Sequence, residues 1–157
     1  MRNPFADSLT LAVVDASPAD YQRLLNLAES AGLNVCLFSS GAAALDFARQ
    51  TPVALWIVNT RLTDCDGFAL AERLVRRGRH TPIFMVDDAY DVDAEMETLS
   101  RGLSKYLCKP VDPCWIVESG LLSLAPAAAR RQAAAASALA AEAPDVLPLR
   151  RPQRPAA

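Results

Sequence analysis

Short apolar runs recur through most of the chain, and between them apolar residues return at helical spacing. Leu9 to Val14, Leu33 to Phe38, Val53 to Asn59, Thr81 to Val86 and Lys105 to Cys108 read as strands. The others are arranged around Val53 to Gly67. Its apolar run has the continuous character of a strand buried on both faces, and it delivers Asn59 to a loop closed by Asp66-Gly67. Ser17, Pro18 and Asp20 read as the start of a first helix, with Ser17 as cap, Pro18 at the first helical position and Asp20 in the positive first turn. Leu24, Leu25, Leu27, Ala28 and Ala31 form its buried stripe, and Gly32 stops it.

The second helix opens at Ser39-Ser40, turns Ala44, Leu45, Phe47 and Ala48 inward, and ends at Thr51-Pro52. Gly67 to Arg77 is the third, buried through Phe68, Leu70, Ala71 and Leu74. Asp91 to Gly102 is an acidic fourth helix, less apolar and so less firmly packed, and Pro113 to Leu124 is the fifth. Strands alternating with helices over short loops predict a doubly wound parallel sheet across residues 1–124. Right-handed crossovers bring all strand carboxyl ends to one edge, where they gather Asp15, Asn59, Asp87 and Lys109 into one shallow pocket.

From Ala125 the texture changes. Residues 127–143 are alanine-dense, a strong helix former with little large apolar surface to dock, and residues 144–157 hold four prolines and three arginines. That composition predicts a flexible tail over 125–157, a linker or tether. The tail is +3 and the body -5, within a formal net charge of -2. This balance points to neither nucleic-acid nor membrane-surface binding. Arg2-Asn3-Pro4 is not followed by the apolar region of a signal peptide, and no window reaches the apolar length of a membrane span, so a cytoplasmic protein with free thiols is expected. Cys36 and Cys108 sit in apolar runs and are expected to fill core volume, whereas Cys65 lies in the loop beside the pocket.

Val13-Val14-Asp15, Asp66-Gly67 and Tyr106-Leu107-Cys108-Lys109-Pro110, with Gly102 as the small residue before the fifth strand, resemble the response-regulator receiver domain from about Leu9 to Leu124. The resemblance implies the CheY-like, flavodoxin-like order 2-1-3-4-5 with five flanking helices. In that family an aspartate ending the third strand is phosphorylated, carboxylates hold Mg²⁺, a lysine binds the phosphoryl oxygens, and a Ser or Thr ending the fourth strand rearranges an aromatic switch. Carried over, Lys109 matches the lysine, Tyr106 the switch, and Lys109-Pro110 the cis bond. The departures are equally specific. Asn59 stands at the phosphoacceptor position, and an amide is not the nucleophile a carboxylate is. Ala16 removes a second oxygen ligand for Mg²⁺, Asp87 replaces the Ser or Thr, and Thr63 replaces the loop proline. No catalytic residue and no cofactor follow from this set, and it predicts a degenerate pseudo-receiver that is not an enzyme.

Asp87 has two readings. It either pairs with Lys109, standing in for phosphate, or is a solvated loop acid beside Asp88. Tyr106 is likewise either a switch or an ordinary half-buried strand tyrosine. The resemblance implies a protein partner at the face of the fourth helix, fifth strand and fifth helix, offering Tyr106, Lys105 and the acids Asp91, Asp93, Glu95 and Glu97, and leaves a homodimer open. Residual Mg²⁺-dependent phosphoacceptance on Asp64 or Asp66, and thiol redox sensing at Cys65, are the alternatives.

Overall fold

The computed structural model describes residues 9–78 and 80–121. The strands are β1 (Thr10–Val14), β2 (Asn34–Phe38), β3 (Leu55–Asn59), β4 (Ile83–Asp87) and β5 (Lys105–Cys108). They are flanked by α1 (Gln22–Ser30), α2 (Gly41–Gln50), α3 (Gly67–Arg77), α4 (Val92–Ser100) and α5 (Pro113–Leu121). All four strand pairings are parallel, in the order β2-β1-β3-β4-β5. The expected fold class is thus the observed one, and the tail predicted over 125–157 lies outside the described residues.

Side chains on a strand alternate between faces, and this divides the core in two. Leu11, Val13, Leu55, Ile57, Phe84 and Val86 pack with α1 and α5, while Ala12, Val14, Trp56, Val58, Ile83 and Met85 pack with α2, α3 and α4. The same parity governs the residues at the strand ends.

Three local expectations are corrected. Ser17 makes no side-chain cap; Pro18–Tyr21 forms a 3-10 turn and α1 begins at Gln22. The cause is Asp15, whose carboxylate takes the Ser17 N–H at 2.8 Å and bends the chain before the helix can start. β4 runs one residue further than its apolar run, to Asp87. Cys36 and Cys108 are half-buried rather than core, because β2 and β5 are the sheet's edge strands and leave one side open. As expected, α4 is thinly packed, burying only Ala94 and Thr98.

Gly67 begins α3 against the end of β3. A Cβ there would lie 2.1 Å from the carbonyl oxygen of Asn59, so only glycine permits this approach. Asp66 caps the helix through the Ala69 N–H at 3.0 Å.

Candidate functional site

Two hydrogen-bond networks occupy the carboxyl edge of the sheet. Asp15, Asn59, Asp88 and Lys109 share the strand parity of the α1 and α5 core and meet on that side. Thr60, Asp87 and Tyr106 share the opposite parity and meet on the α3 and α4 side. The single pocket expected for Asp15, Asn59, Asp87 and Lys109 is therefore two sites.

The first is built around Asp15, 2% exposed at the end of β1. Its Oδ1 accepts from the Ser17 N–H, and its Oδ2 accepts from the Tyr21 hydroxyl at 2.8 Å, the Asn59 amide at 3.0 Å and the Lys109 ammonium at 2.8 Å. Burial alone would push this carboxyl up. The bonds from Lys109, Asn59, Ser17 and Tyr21 outweigh it and hold the carboxyl below its ordinary 3.8. Ala16, next in the chain, is exposed and offers no side-chain oxygen.

Asn59 is 3% exposed and its hydrogen-bonding capacity is engaged at both ends. Its Nδ2 donates to Asp15 Oδ2 at 3.0 Å and Asp88 Oδ1 at 3.3 Å, while its Oδ1 accepts the Arg61 N–H at 2.9 Å. Lys109 lies 2.8 Å from each of Asp15, Asp20 and Asp88. Burial works against its charge, but these bonds raise its pKa well above the ordinary lysine value. The Lys109-Pro110 bond is cis. Above the buried pair, Asp20, Tyr21, Asp88, Lys109, Pro110 and Val111 line a cleft of about 420 Å³.

In the second network Asp87, 5% exposed, accepts from the Thr60 hydroxyl and from the Tyr106 hydroxyl at 2.7 Å. Neither reading of Asp87 holds. It is not a solvated acid, and it does not pair with Lys109; Asp88, of opposite parity, does. Tyr106 is half-buried and its oxygen also accepts the Asp91 N–H at 3.0 Å, where Asp91 caps α4. Burial and the bond to Asp87 push the phenol up to about 12, so it stays a donor across the physiological range.

The candidate surrogate acids are engaged elsewhere. Asp64 accepts the Gly41 and Ala42 N–H groups at 2.9 and 3.0 Å at the start of α2, and Asp66 caps α3. Cys65 packs against Gly41, and burial together with Asp64 pushes its thiol up. His80 is exposed. The sequence assigns no site role to Asp20, Tyr21, Thr60 or Asp88. Tyr21 continues the α1 stripe backwards from Leu24 and Ala28 at helical spacing, whereas Thr60 and Asp88 have the parity of Val58 and Val86, so a period-two reading extended past β3 and β4 reaches those two.

A five-stranded parallel sheet in this order, with an acid, an amide and a lysine converging at its carboxyl edge, defines a CheY-like α/β domain of the flavodoxin-like class. Residues 11–119 match the response regulator receiver domain, and the chain belongs to that family. It is 30% identical over 118 residues to the transcriptional regulatory protein FixJ of Azorhizobium caulinodans, covering 75% of this chain and 56% of that one. It is 28% identical over 106 residues to ZraR of Escherichia coli K12, covering 68% of this chain and 24% of ZraR. The chain thus spans only part of the length of these relatives. Among solved structures it is similar to a putative response regulator from Chloroflexus aurantiacus, at a TM-score of 0.65 and 26% identity over 72% of this chain and 94% of that one. A CheY-like receiver from Methanospirillum hungatei, at a TM-score of 0.66 and 20% identity over 72% and 90% of the two chains, shares the fold. Among the described residues no helix is long and apolar enough to cross a membrane.

Proposed function

We propose that this chain is a degenerate receiver, a signalling adaptor of the bacterial cytoplasm that a protein partner reads without phosphorylation. The observation that carries this reading is Asn59. An amide occupies the end of β3, buried, with its nitrogen held by Asp15 and Asp88 and its oxygen by Arg61. It offers no carboxylate to accept a phosphoryl group, and it is a packed member of the pocket.

Receiver domains bind Mg²⁺ at the phosphorylation site, and the donor set here does not fit that ion. Mg²⁺ requires several oxygens in near-octahedral array. Asp15 already receives four donors, Ala16 supplies no side-chain oxygen, and the Lys109 ammonium sits among the carboxylates a metal would use. Among the described residues no group of three or more His, Cys, Asp or Glu is placed to hold a metal. The lysine is the pocket's cation.

The engagement of Asp64 and Asp66 as helix caps weighs against surrogate phosphorylation, and the raised Cys65 thiol against redox sensing. The docking face is that of α4, β5 and α5, where Lys105 is exposed and Tyr106 acts from beneath by fixing the start of α4.

The test is intact mass after incubation with Mg²⁺ and a small acyl-phosphate donor, for the wild type and for the Ala16→Asp, Asn59→Asp, Asp87→Thr triple variant. The wild type should gain no phosphoryl group and the triple variant should gain one. A phosphorylated wild type would overturn the reading.

A further inference from the structure

The fourth helix leaves an apolar stripe uncovered. Val92, Met96 and Leu99 are 56%, 60% and 62% exposed, and Tyr90, on the loop before them, is 62% exposed. At 100° per residue the three helix positions fall on one narrow face, with Glu95 bordering it on one side and Asp93 on the other. A concentrated apolar stripe on a soluble surface marks an interaction site. Acids on both borders favour an occupant that couples apolar residues to cations.

The chain contains such a sequence. Val146, Leu147 and Leu149 are followed by Arg150, Arg151 and Arg154, within the segment that is +3 against a body of -5. Reach is sufficient. In a parallel sheet with helical crossovers, α4 and α5 both run opposite to the strands, so the carboxyl end of α5 lies at the same edge of the sheet as that of α4. Roughly 25 residues separate Leu121 from Val146, and a flexible chain of that length has an end-to-end distance of about 25–30 Å and a limit of ~80 Å fully extended. Tethering then supplies the segment at an effective concentration of order mM. A second copy is a poorer fit, since a two-fold pairing of α4 on α4 would bring two acid-bordered stripes together with no cation between their borders.

We propose that residues 146–154 dock on α4 of the same chain, Val146, Leu147 and Leu149 against the stripe and the arginines against its acidic borders. This segment of the same chain then competes with a partner for that face. Nothing in this contact depends on whether the pocket takes phosphate.

The experiment compares amide NMR spectra of the full chain with those of an Arg150→Glu, Arg151→Glu, Arg154→Glu variant. The amides of Tyr90, Val92, Met96 and Leu99 should move on charge reversal. Wild-type positions should drift towards those of the variant as salt is raised to about 0.5 M, which shortens the screening length to a few ångströms. A synthetic peptide of residues 144–157 added to the variant should return the same amides towards wild-type positions. Met96→Lys, at an exposed position, should likewise shift the amides of residues 146–154. Spectra of α4 unchanged by the charge reversal would overturn the proposal. Shifts that instead follow protein concentration, with a dimer in sedimentation, would overturn it in favour of a second copy.

Discussion

The Tyr106 hydroxyl donates to the buried carboxylate of Asp87 at 2.7 Å while accepting the Asp91 N–H at 3.0 Å, so one oxygen ties the end of β4 to the start of α4. A buried carboxylate and the N–H before a helix thus share one side-chain oxygen on β5. Tyr106→Phe removes a donor from a carboxylate that is 5% exposed and an acceptor from the N–H of Asp91, whose side chain caps α4. The expected loss is about 1–3 kcal/mol in denaturant unfolding. Hydrogen exchange at the Asp91 amide should accelerate beyond what the global loss explains. Exchange that merely tracks global stability would mean the tyrosine does not position α4.

Asn59→Asp, made alone, does not restore a working site. It replaces the amide that donates to Asp15 and Asp88 with a carboxylate 3.0–3.3 Å from two others, turning two attractive contacts into repulsive ones. Folding stability at neutral pH should fall by about 1–3 kcal/mol. The neighbouring carboxylates raise the folded pKa of the new acid above its unfolded value, near 4, so the cost is complete above the raised folded pKa, shrinks as pH falls through it, and is gone below the unfolded value. Chemical denaturation at pH 7 and pH 4 checks the sign. An equal loss at both pH values would exclude charge repulsion as the cause.

The fold was legible because the strands are short, mostly apolar runs and the helices between them carry stop signals: Gly32 and Gly102 follow α1 and α4 with φ of +73° and +70°, the left-handed region that glycine enters without penalty. The pocket was legible only as far as residue identity carries. Asn59, Asp15 and Lys109 are where the resemblance puts them, but Asp87 and Asp88 are adjacent acids, and which one meets the lysine depends on where β4 ends. The strand continues through Asp87, so that residue turns to the Met85 side and Asp88 to the Val86 side. The edge cysteines were misread for a related reason, since an apolar run does not say whether a strand has a neighbour on both sides.

Lys109 and Asp15 set the pH response of the pocket. Asp15 titrates below 3.8 in the folded chain, so its contribution is present above that value and is lost as pH falls through the depressed folded pKa. Lys109 titrates above its ordinary 10.5, so its contribution is complete below 10.5 and is lost only at higher pH. The pocket's contribution should therefore be flat across neutral pH and decline only at either extreme. Lys109→Met leaves Asp15 buried without its cation. Because Asp20 and Asp88 retain 48% and 75% side-chain exposure, the loss at pH 7 is put at about 2–3 kcal/mol, below the usual figure for a fully buried pair. Deprived of the ammonium, Asp15 titrates higher in the variant, so the gap to wild type should narrow between pH 7 and pH 4. A constant gap would show that Lys109 acts by packing alone.

Gly67→Ala tests whether the site rests on backbone contact or on side chains alone. The added methyl would meet the Asn59 carbonyl oxygen at 2.1 Å and the Thr60 Cα at 2.7 Å, and both are backbone atoms that cannot rotate away. Either α3 shifts or the end of β3 does, and Asn59 and Thr60 belong to the two networks respectively. Overpacking of this kind costs about 1–3 kcal/mol, at the upper end where backbone must move. The conformation at Gly67 is ordinary for any residue, so strain does not add to this figure. Thermal unfolding should show the loss, and side-chain NMR of Asn59 Nδ2 and the Tyr106 ring should both shift. A stability loss without either shift would place the accommodation wholly in α3 and show that the two networks are held by their own hydrogen bonds rather than by the close seat of the helix.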